Sequence, residues 1–309
     1  MITIFKSTDQ GLKTSHTLSN GSWINVTDPS SEEIAQVEKW GILPEFVTHS
    51  LDIDERARTE RNNNLILIVL RLPYKQDKIA DIPYITVPLG IVLADNFIVT
   101  ISRKETVIIK EFAAGRIHDL STDKKNRFVL QLFFHTANQY LNYLRDIDAA
   151  VSILKDKLYR SVQNKEVLDL LKYQKSLIYF TSDLKSNELM FERLQKGQLF
   201  QAYPEDAELL DDVLIEIRQA MEMTSISENI LSQMMDAFAS IISNNLNVIL
   251  KFLASITIVI SLPTLVAGFY GMNVRLPGQN YSFAFSSILL VSFVISLIVV
   301  IIFKKKDWL

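Results

Sequence analysis

The stretch VILKFLASITIVISLPTLVAGFYGMN, Val248 to Asn273, decides the fold. From Val248 to Tyr270 it is apolar over roughly the 20 residues that a helix needs to cross a hydrocarbon core of about 30 Å. Its one charge, Lys251, sits a turn inside the near end, where the long stem can carry the ammonium to the interface. The tripeptide Gly271-Met272-Asn273 follows where the run stops, and a second apolar run, Phe283 to Phe303, carries no charge at all. Two membrane crossings are expected, with a polar tripeptide at a bilayer surface.

Charge sets the expected orientation. Lys304, Lys305 and Lys306 follow the second run at once, whereas the connecting loop Val274 to Ser282 has only Arg275. The positive-inside bias therefore places both flanks in the cytoplasm of a cell membrane and turns the short loop outward. The start, Met1 to Lys6, lacks the basic, apolar and small-residue order of a signal peptide, so the roughly 245 residues before the first span are expected in the cytosol. Zero cysteines exclude disulfides and thiolate metal sites. The net charge of -3 averages a polar domain with a membrane hairpin, and no nucleic-acid partner is expected.

Ahead of the spans, Trp23 to Val26, Leu65 to Leu70, Ile85 to Leu93 and Phe97 to Ser102 read as strands, with Asp95-Asn96 as a hairpin turn. Ser30-Ser31-Glu32-Glu33 resembles a capping box opening a helix, and Pro44 suits the first turn of another. A sheet covered by helices follows. After Ser121 the spacing is helical: Leu130, Phe133, Phe134, Ala137, Tyr140, Leu141 and Leu144 share one face, and turns are expected near Gln163-Asn164 and between Gly197 and Pro204. The chain thus reads as an α+β membrane protein. Its expected parts are a cytosolic α/β domain over 1–120, antiparallel cytosolic helices over 121–204, a stalk helix over 205–247, a first span over 248–272, an outer loop over 273–283, a second span over 284–303 and a basic cytosolic tail over 304–309.

From Glu205 there is no Gly or Pro until Pro263, which predicts a continuous rod on the order of 90 Å long at 1.5 Å per residue. Leu210, Leu214, Ile217, Met221, Leu231, Met235, Phe238, Ile242 and Ile249 form a near-heptad seam along it. That seam fits packing on the chain's own helices or on another copy. A second line runs through Asp236, Ser240, Ser243, Asn247, Leu250, Ala254, Thr257, Ser261, Thr264, Gly268 and Gly271. Small and hydroxyl residues in a span allow close helix packing or line water. Continuity of the line into the soluble stalk favours water, and several copies would then have to enclose the path, with the second span facing lipid. The neutral oxygens of Asn247, Thr257, Ser261 and Thr264 can bond the waters that magnesium holds tightly.

The rod is also acidic, with Glu205, Asp206, Glu208, Asp211, Asp212, Glu216, Glu222, Glu228 and Asp236 against Arg218 alone up to Leu250. Such a face is either simply solvated or, between subunits, a place where divalent cation stabilises one assembly state and closes its own route.

Tyr270-Gly271-Met272-Asn273 after Leu262-Pro263-Thr264, with Lys304-Lys305-Lys306-Asp307-Trp308-Leu309 at the end, resembles the CorA-type magnesium transporters; Trp23 to Thr27 and Ser243-Asn244 fit the same pattern. The resemblance implies a funnel-shaped homopentamer in the lipid bilayer with Mg2+ as its ion. It further implies ion capture by the Asn273 amide and Gly271 carbonyl with Met272 structural, an inner polar ring at Asn247, apolar constrictions at Leu250 and Leu253, a hydroxyl ring at Thr264, and a basic collar at Lys304, Lys305 and Lys306. Three departures stand out. The outer loop has no acid, Ser261 stands where some relatives have methionine, and Asp212 matches a stalk acid whose usual partner falls near His49-Ser50, so that Asp52, Asp54 or Glu55 substitutes or sensing differs.

Enzymatic readings lack support, since no phosphate loop, zinc spacing or serine elbow occurs and the four histidines, His16, His49, His118 and His135, are scattered. Two alternatives to magnesium uptake remain: transport of cobalt, nickel or zinc on the same architecture, and a membrane-anchored oligomeric scaffold or sensor.

Overall fold

The computed structural model describes the chain apart from residues 9–10, 78, 161–163, 198–199, 201–202, 275–277, 279–281 and 309. The turn expected at Gln163, the loop residues Arg275, Leu276, Pro277, Gln279, Asn280 and Tyr281, and Leu309 lie outside the described residues. Two compact units are present, Met1–Met234 and Met235–Leu309.

The first unit runs β1 (Ile2–Thr8), β2 (Gly11–Ser15), β3 (Ser22–Thr27), α1 (Ser31–Lys39), α2 (Pro44–Leu51), β4 (Arg58–Asn62), β5 (Leu65–Lys75), β6 (Tyr84–Leu93) and β7 (Phe97–Ser102). Then come α3 (Val107–Ala113), α4 (Lys125–Arg160), α5 (Asn164–Lys196) and the first half of α6 (Pro204–Tyr270); α7 (Ala284–Lys305) completes the chain. The sheet order is β2-β1-β3-β7-β6-β5-β4, antiparallel throughout except where β3 meets β7. A parallel pairing needs a long crossover, and α1, α2 and the β4 to β6 strands supply it.

Side chains alternate across the sheet, so each strand feeds two cores. Ile24, Val26, Leu67, Val69, Val92, Val99 and Ile101 point to one face, where Val37, Ile42, Phe46 and Val47 of the α1–α2 region close over them. Gly90 of β6 lets α2 lie close, for a Cβ there would stand 1.7 Å from the Ser50 hydroxyl oxygen. On the other face Trp23 is fully buried, with Phe5 stacked at 4.8 Å, Phe128 of α4 at 5.1 Å and Phe112 of α3 at 6.4 Å. Its indole N–H donates to Thr100 at 2.8 Å. α4 and α5 cover β5 and β6 on their flank, giving helices on both sides of the sheet.

Local chemistry fixes the element ends. Ser30 and Glu33 make the expected capping box, and the terminal ammonium of Met1 also reaches Glu33 at 2.9 Å. Hydrogen bonding from the Ser30 backbone, then from that ammonium, holds the Glu33 carboxyl below its ordinary pKa. Pro44 opens α2. Beyond Val69, β5 has no β4 partner, and the buried Asn187 side chain of α5 stands in for a strand: its Oδ1 accepts from Arg71 N at 3.1 Å and its Nδ2 donates to Arg71 O at 2.9 Å. Beside it Arg71 pairs with Asp183 at 3.1 Å, Thr86 donates to the same carboxylate, and Tyr140 donates to Arg71 O at 3.1 Å. Burial pushes the Tyr140 phenol well above its usual pKa, so it remains a donor.

α6 is continuous from Pro204 through Pro263 to Tyr270. In the first unit its seam packs on the chain's own helices: Leu210, Leu214, Ile217 and Leu231 are buried. Polar ties flank them, Ser227 to Asp148 of α4 at 2.7 Å, Thr181 of α5 to Glu228 at 2.8 Å, and Arg218 to Glu188 and Glu192 of α5 at 3.1 and 2.8 Å. Burial would raise the Glu188 carboxyl, but hydrogen bonds from Lys185 and Arg218 outweigh it and its pKa is lowered. Further along, Ile242 and Ile249 are exposed in the single chain.

Candidate ion path along α6

The second unit holds the end of α6 and all of α7, the two helices long and apolar enough to cross a membrane. Along α6, Ser255 is buried and Ile256, Val259, Leu262, Pro263 and Val266 are part-buried, a stripe at helical spacing. Three hydroxyl residues of this unit are covered: Ser255 is 0% exposed, Ser292 of α7 is 7% exposed, and the Ser296 hydroxyl is buried. The sequence shows Ser292 and Ser296 among the few hydroxyls of a span expected to face lipid, and their spacing of four in an otherwise apolar helix puts both on one covered side.

Asn247, Leu250, Ala254, Thr257, Ser261, Thr264 and Gly268 are all exposed in the single chain. Thr257, Ser261, Thr264 and Gly268 each lie two residues beyond Ser255, Val259, Leu262 and Val266, which is about 200° round a helix of 3.6 residues per turn. The polar line thus falls on the other side of α6 from that stripe, with Thr264 also bordering the groove beside α7. Leu253 is 60% exposed beside it.

The hydroxyls on this line share one geometry. Thr257 donates to Leu253 O at 2.8 Å, Ser261 to Thr257 O at 2.6 Å and Thr264 to Ile260 O at 3.2 Å. Each proton is committed to the helix's own backbone, so each oxygen presents lone pairs outward. A line of acceptors suits the outward hydrogens of water bound to a cation. A groove of about 860 Å³ between α6 and α7 includes Thr264, Gly271 and Ser296 in its walls.

At the far end, Gly271 N bonds Ala267 O at 2.9 Å and Met272 N bonds Phe269 O at 3.2 Å, closing the last turn. Asn273 lies just past the helix, exposed like Gly271 and Met272. A helix C-terminus carries partial negative charge on its carbonyls, which favours a cation there.

The regulatory candidates are separate. Asp52 closes α2 and accepts from Asp54 N at 3.1 Å, while Glu55 is engaged by His49 and Arg58, each at 3.2 Å. Asp212 is exposed on α6. Among the described residues, no three histidines or carboxylates of one chain gather where they could hold a metal. Lys304, Lys305 and Lys306 are exposed where α7 ends.

A sheet-and-helix unit whose last helix, α6, is itself one of two helices of membrane-spanning length has the make-up of a two-span membrane protein. The model of the family described as CorA-like Mg2+ transporter protein matches residues 19–305, and the chain belongs to that family. It is a divalent-cation transporter rather than an enzyme. The chain is 29% identical over 298 residues to the cobalt/magnesium transport protein CorA of Methanocaldococcus jannaschii, covering 93% of this chain and 91% of that protein. It is 23% identical over 312 residues to the protein of the same name from Thermotoga maritima, covering 99% and 88%. The complete structure of the CorA magnesium transporter from Methanocaldococcus jannaschii matches with a TM-score of 0.86 at 24% identity, covering 100% of this chain and 99% of that one, so the fold is shared.

Proposed function

We propose that this chain carries Mg2+ into the cytosol as a homopentamer, with five copies of α6 around a water-filled path and α7 outside against lipid. The supporting observation is the acceptor line on α6: Thr257, Ser261 and Thr264 keep their protons on the backbone and are exposed in the single chain. Magnesium sheds its first waters reluctantly, and those waters point hydrogens outward. Neutral acceptors bond such a shell without trapping the charge.

In this reading the cation is captured at the outer mouth by the Asn273 amide and Gly271 carbonyl, aided by the negative ends of α6, with Met272 shaping the turn. It then passes Gly268, Thr264, Ser261, Thr257 and Ala254, crosses the narrow levels of Leu253 and Leu250, and leaves past Asn247. Both termini lie in the cytosol, where Lys304, Lys305 and Lys306 form a basic collar. Membrane potential is worth roughly 2.3 kcal/mol per charge per 100 mV, so a dication needs no coupled ion. Cytosolic divalent cation acts back through the acidic stalk, with Asp212 meeting Asp52, Asp54 or Glu55 of a neighbouring copy. Magnesium should raise the thermal midpoint of the wild-type assembly and not that of Asp212→Asn; equal shifts would remove Asp212 from the sensor.

Magnesium entry into proteoliposomes tests the reading. Asn273→Ala should abolish it while the oligomer stays intact, and cobalt should compete better than zinc, since no thiolate or histidine lines the path. Equal flux in the variant, or none in the wild type, favours the scaffold. Two relatives bear the name cobalt/magnesium transport protein, which makes cobalt the second ion to measure.

A further inference from the structure

The tail beyond α7 is folded, not loose. Lys306 N bonds Ile302 O and Phe303 O at 3.1 Å, Asp307 takes a left-handed φ of 53°, and Trp308 N returns to Phe303 O at 3.0 Å. This places the Trp308 ring on that of Phe303, stacked at 5.5 Å and 20°. The hook is seated on α6, because the Ser255 hydroxyl lies 3.4 Å from Trp308 O as well as 2.8 Å from Lys251 O. Ser255 is one helical turn from Lys251, so the hook brings Lys304, Lys305, Lys306 and Lys251 to one level of the second unit.

These four cations outnumber the acidic side chains near them. Asp307 is their one neighbouring carboxylate in sequence; α6 has no Asp or Glu from Ala237 to Tyr270, and α7 has none. No ion pair among the described residues involves any of the four. All four lysines are exposed. Trp308 is 37% exposed, a ring with an apolar body and a polar edge at the level where chain leaves the bilayer.

We infer that the hook and Lys251 form a seat for the headgroup of an anionic phospholipid. The lysines take the phosphate and any further negative charge, and the Phe303–Trp308 stack gives the upper acyl chain a flat ledge. The partner is a lipid and not free phosphate, because the cations stand beside that ledge at the end of a span and the site has no walls to enclose a small ion. The seat needs only the membrane insertion of the chain, and its test reads retained lipid rather than ion flux.

The test uses the full-length protein reconstituted in vesicles of phosphatidylcholine with a minor share of phosphatidylglycerol. It is then re-extracted in mild detergent, and the co-purifying lipid is counted by mass spectrometry. Each lysine near an anionic surface strengthens binding about fivefold. The wild type should retain phosphatidylglycerol well above its share of the vesicle, and the triple variant K304Q/K305Q/K306Q should lose at least about tenfold of that enrichment. Should the triple variant not assemble, Lys251→Gln and Trp308→Ala, on two different elements, should each lower the enrichment several-fold. Millimolar inorganic phosphate should leave it unchanged. Retention in proportion to vesicle composition, equal enrichment in the variants, or displacement by inorganic phosphate would each overturn the assignment.

Discussion

At the scale of the residue, one side chain does the work of a missing strand. Asn187 presents both a donor and an acceptor in the plane of the sheet, and it meets Arg71 where β4 has already ended. Leucine has the size and neither group. Arg71 O keeps the Tyr140 hydroxyl, but Arg71 N would be left buried without a partner. Asn187→Leu should therefore cost about 1–3 kcal/mol, read as a lower denaturant midpoint with an unchanged slope. An unchanged midpoint would mean that water takes over the bond. Nothing in the sequence announces this role: an asparagine inside a helical pattern carries no mark of what faces it. The capping box at Ser30 and Glu33 was legible for the opposite reason, since its donors and acceptors are three residues apart on one stretch of chain. The acceptor geometry of Thr257, Ser261 and Thr264 is intermediate. The line was legible from spacing, but where each proton goes required the backbone.

At the scale of the element, legibility follows burial. β5, β6 and β7 lie inside the sheet and are nearly all apolar, so their runs stood out. β4, with sequence Arg-Thr-Glu-Arg-Asn, is an edge strand with a polar outer face, and it was not foreseen. β2 at the opposite edge escaped for the same reason. Charged residues on edges discourage pairing with other chains, which also erases the apolar signal. The α6 seam was legible as a seam, but not who fills it: its lower part is covered by α4 and α5, which sequence periodicity could not distinguish from a second copy. α4 carries a pH dependence of its own. His135 is half-buried with Phe112 edge-on at 5.6 Å, and burial lowers its pKa, partly offset by the charge of Glu111. The folded state keeps the ring neutral while the unfolded chain binds a proton near pH ~6.5. Its contribution is thus present above that pH and is lost as pH falls through the lower folded value. Between pH 7.5 and 5, roughly bracketing that titration, the thermal midpoint should fall more for wild type than for His135→Phe. Parallel curves would exclude His135.

At the scale of the whole molecule, the proposed path depends on a division of labour round one helix. Ser255 is buried and Val259, Leu262 and Val266 are part-buried, whereas Thr257, Ser261, Thr264 and Gly268 are exposed and, in the proposed reading, face water. Both sets contain hydroxyls, so composition alone does not separate packing from conduction, and only the 3.6-residue phase does. The chain has no cysteine, which permits a direct reading of that phase. Single cysteines would be placed at Thr257, Ser261 and Thr264 and, as the opposing set, at Ser255, Val259 and Leu262. The reconstituted protein would then be exposed to a charged, membrane-impermeant thiol reagent with magnesium flux recorded. Thr257→Cys, Ser261→Cys and Thr264→Cys should react and lose flux, with magnesium slowing the reaction, while the opposing set stays unmodified. Reaction confined to the opposing set, or to neither, would contradict a hydrated path along this face.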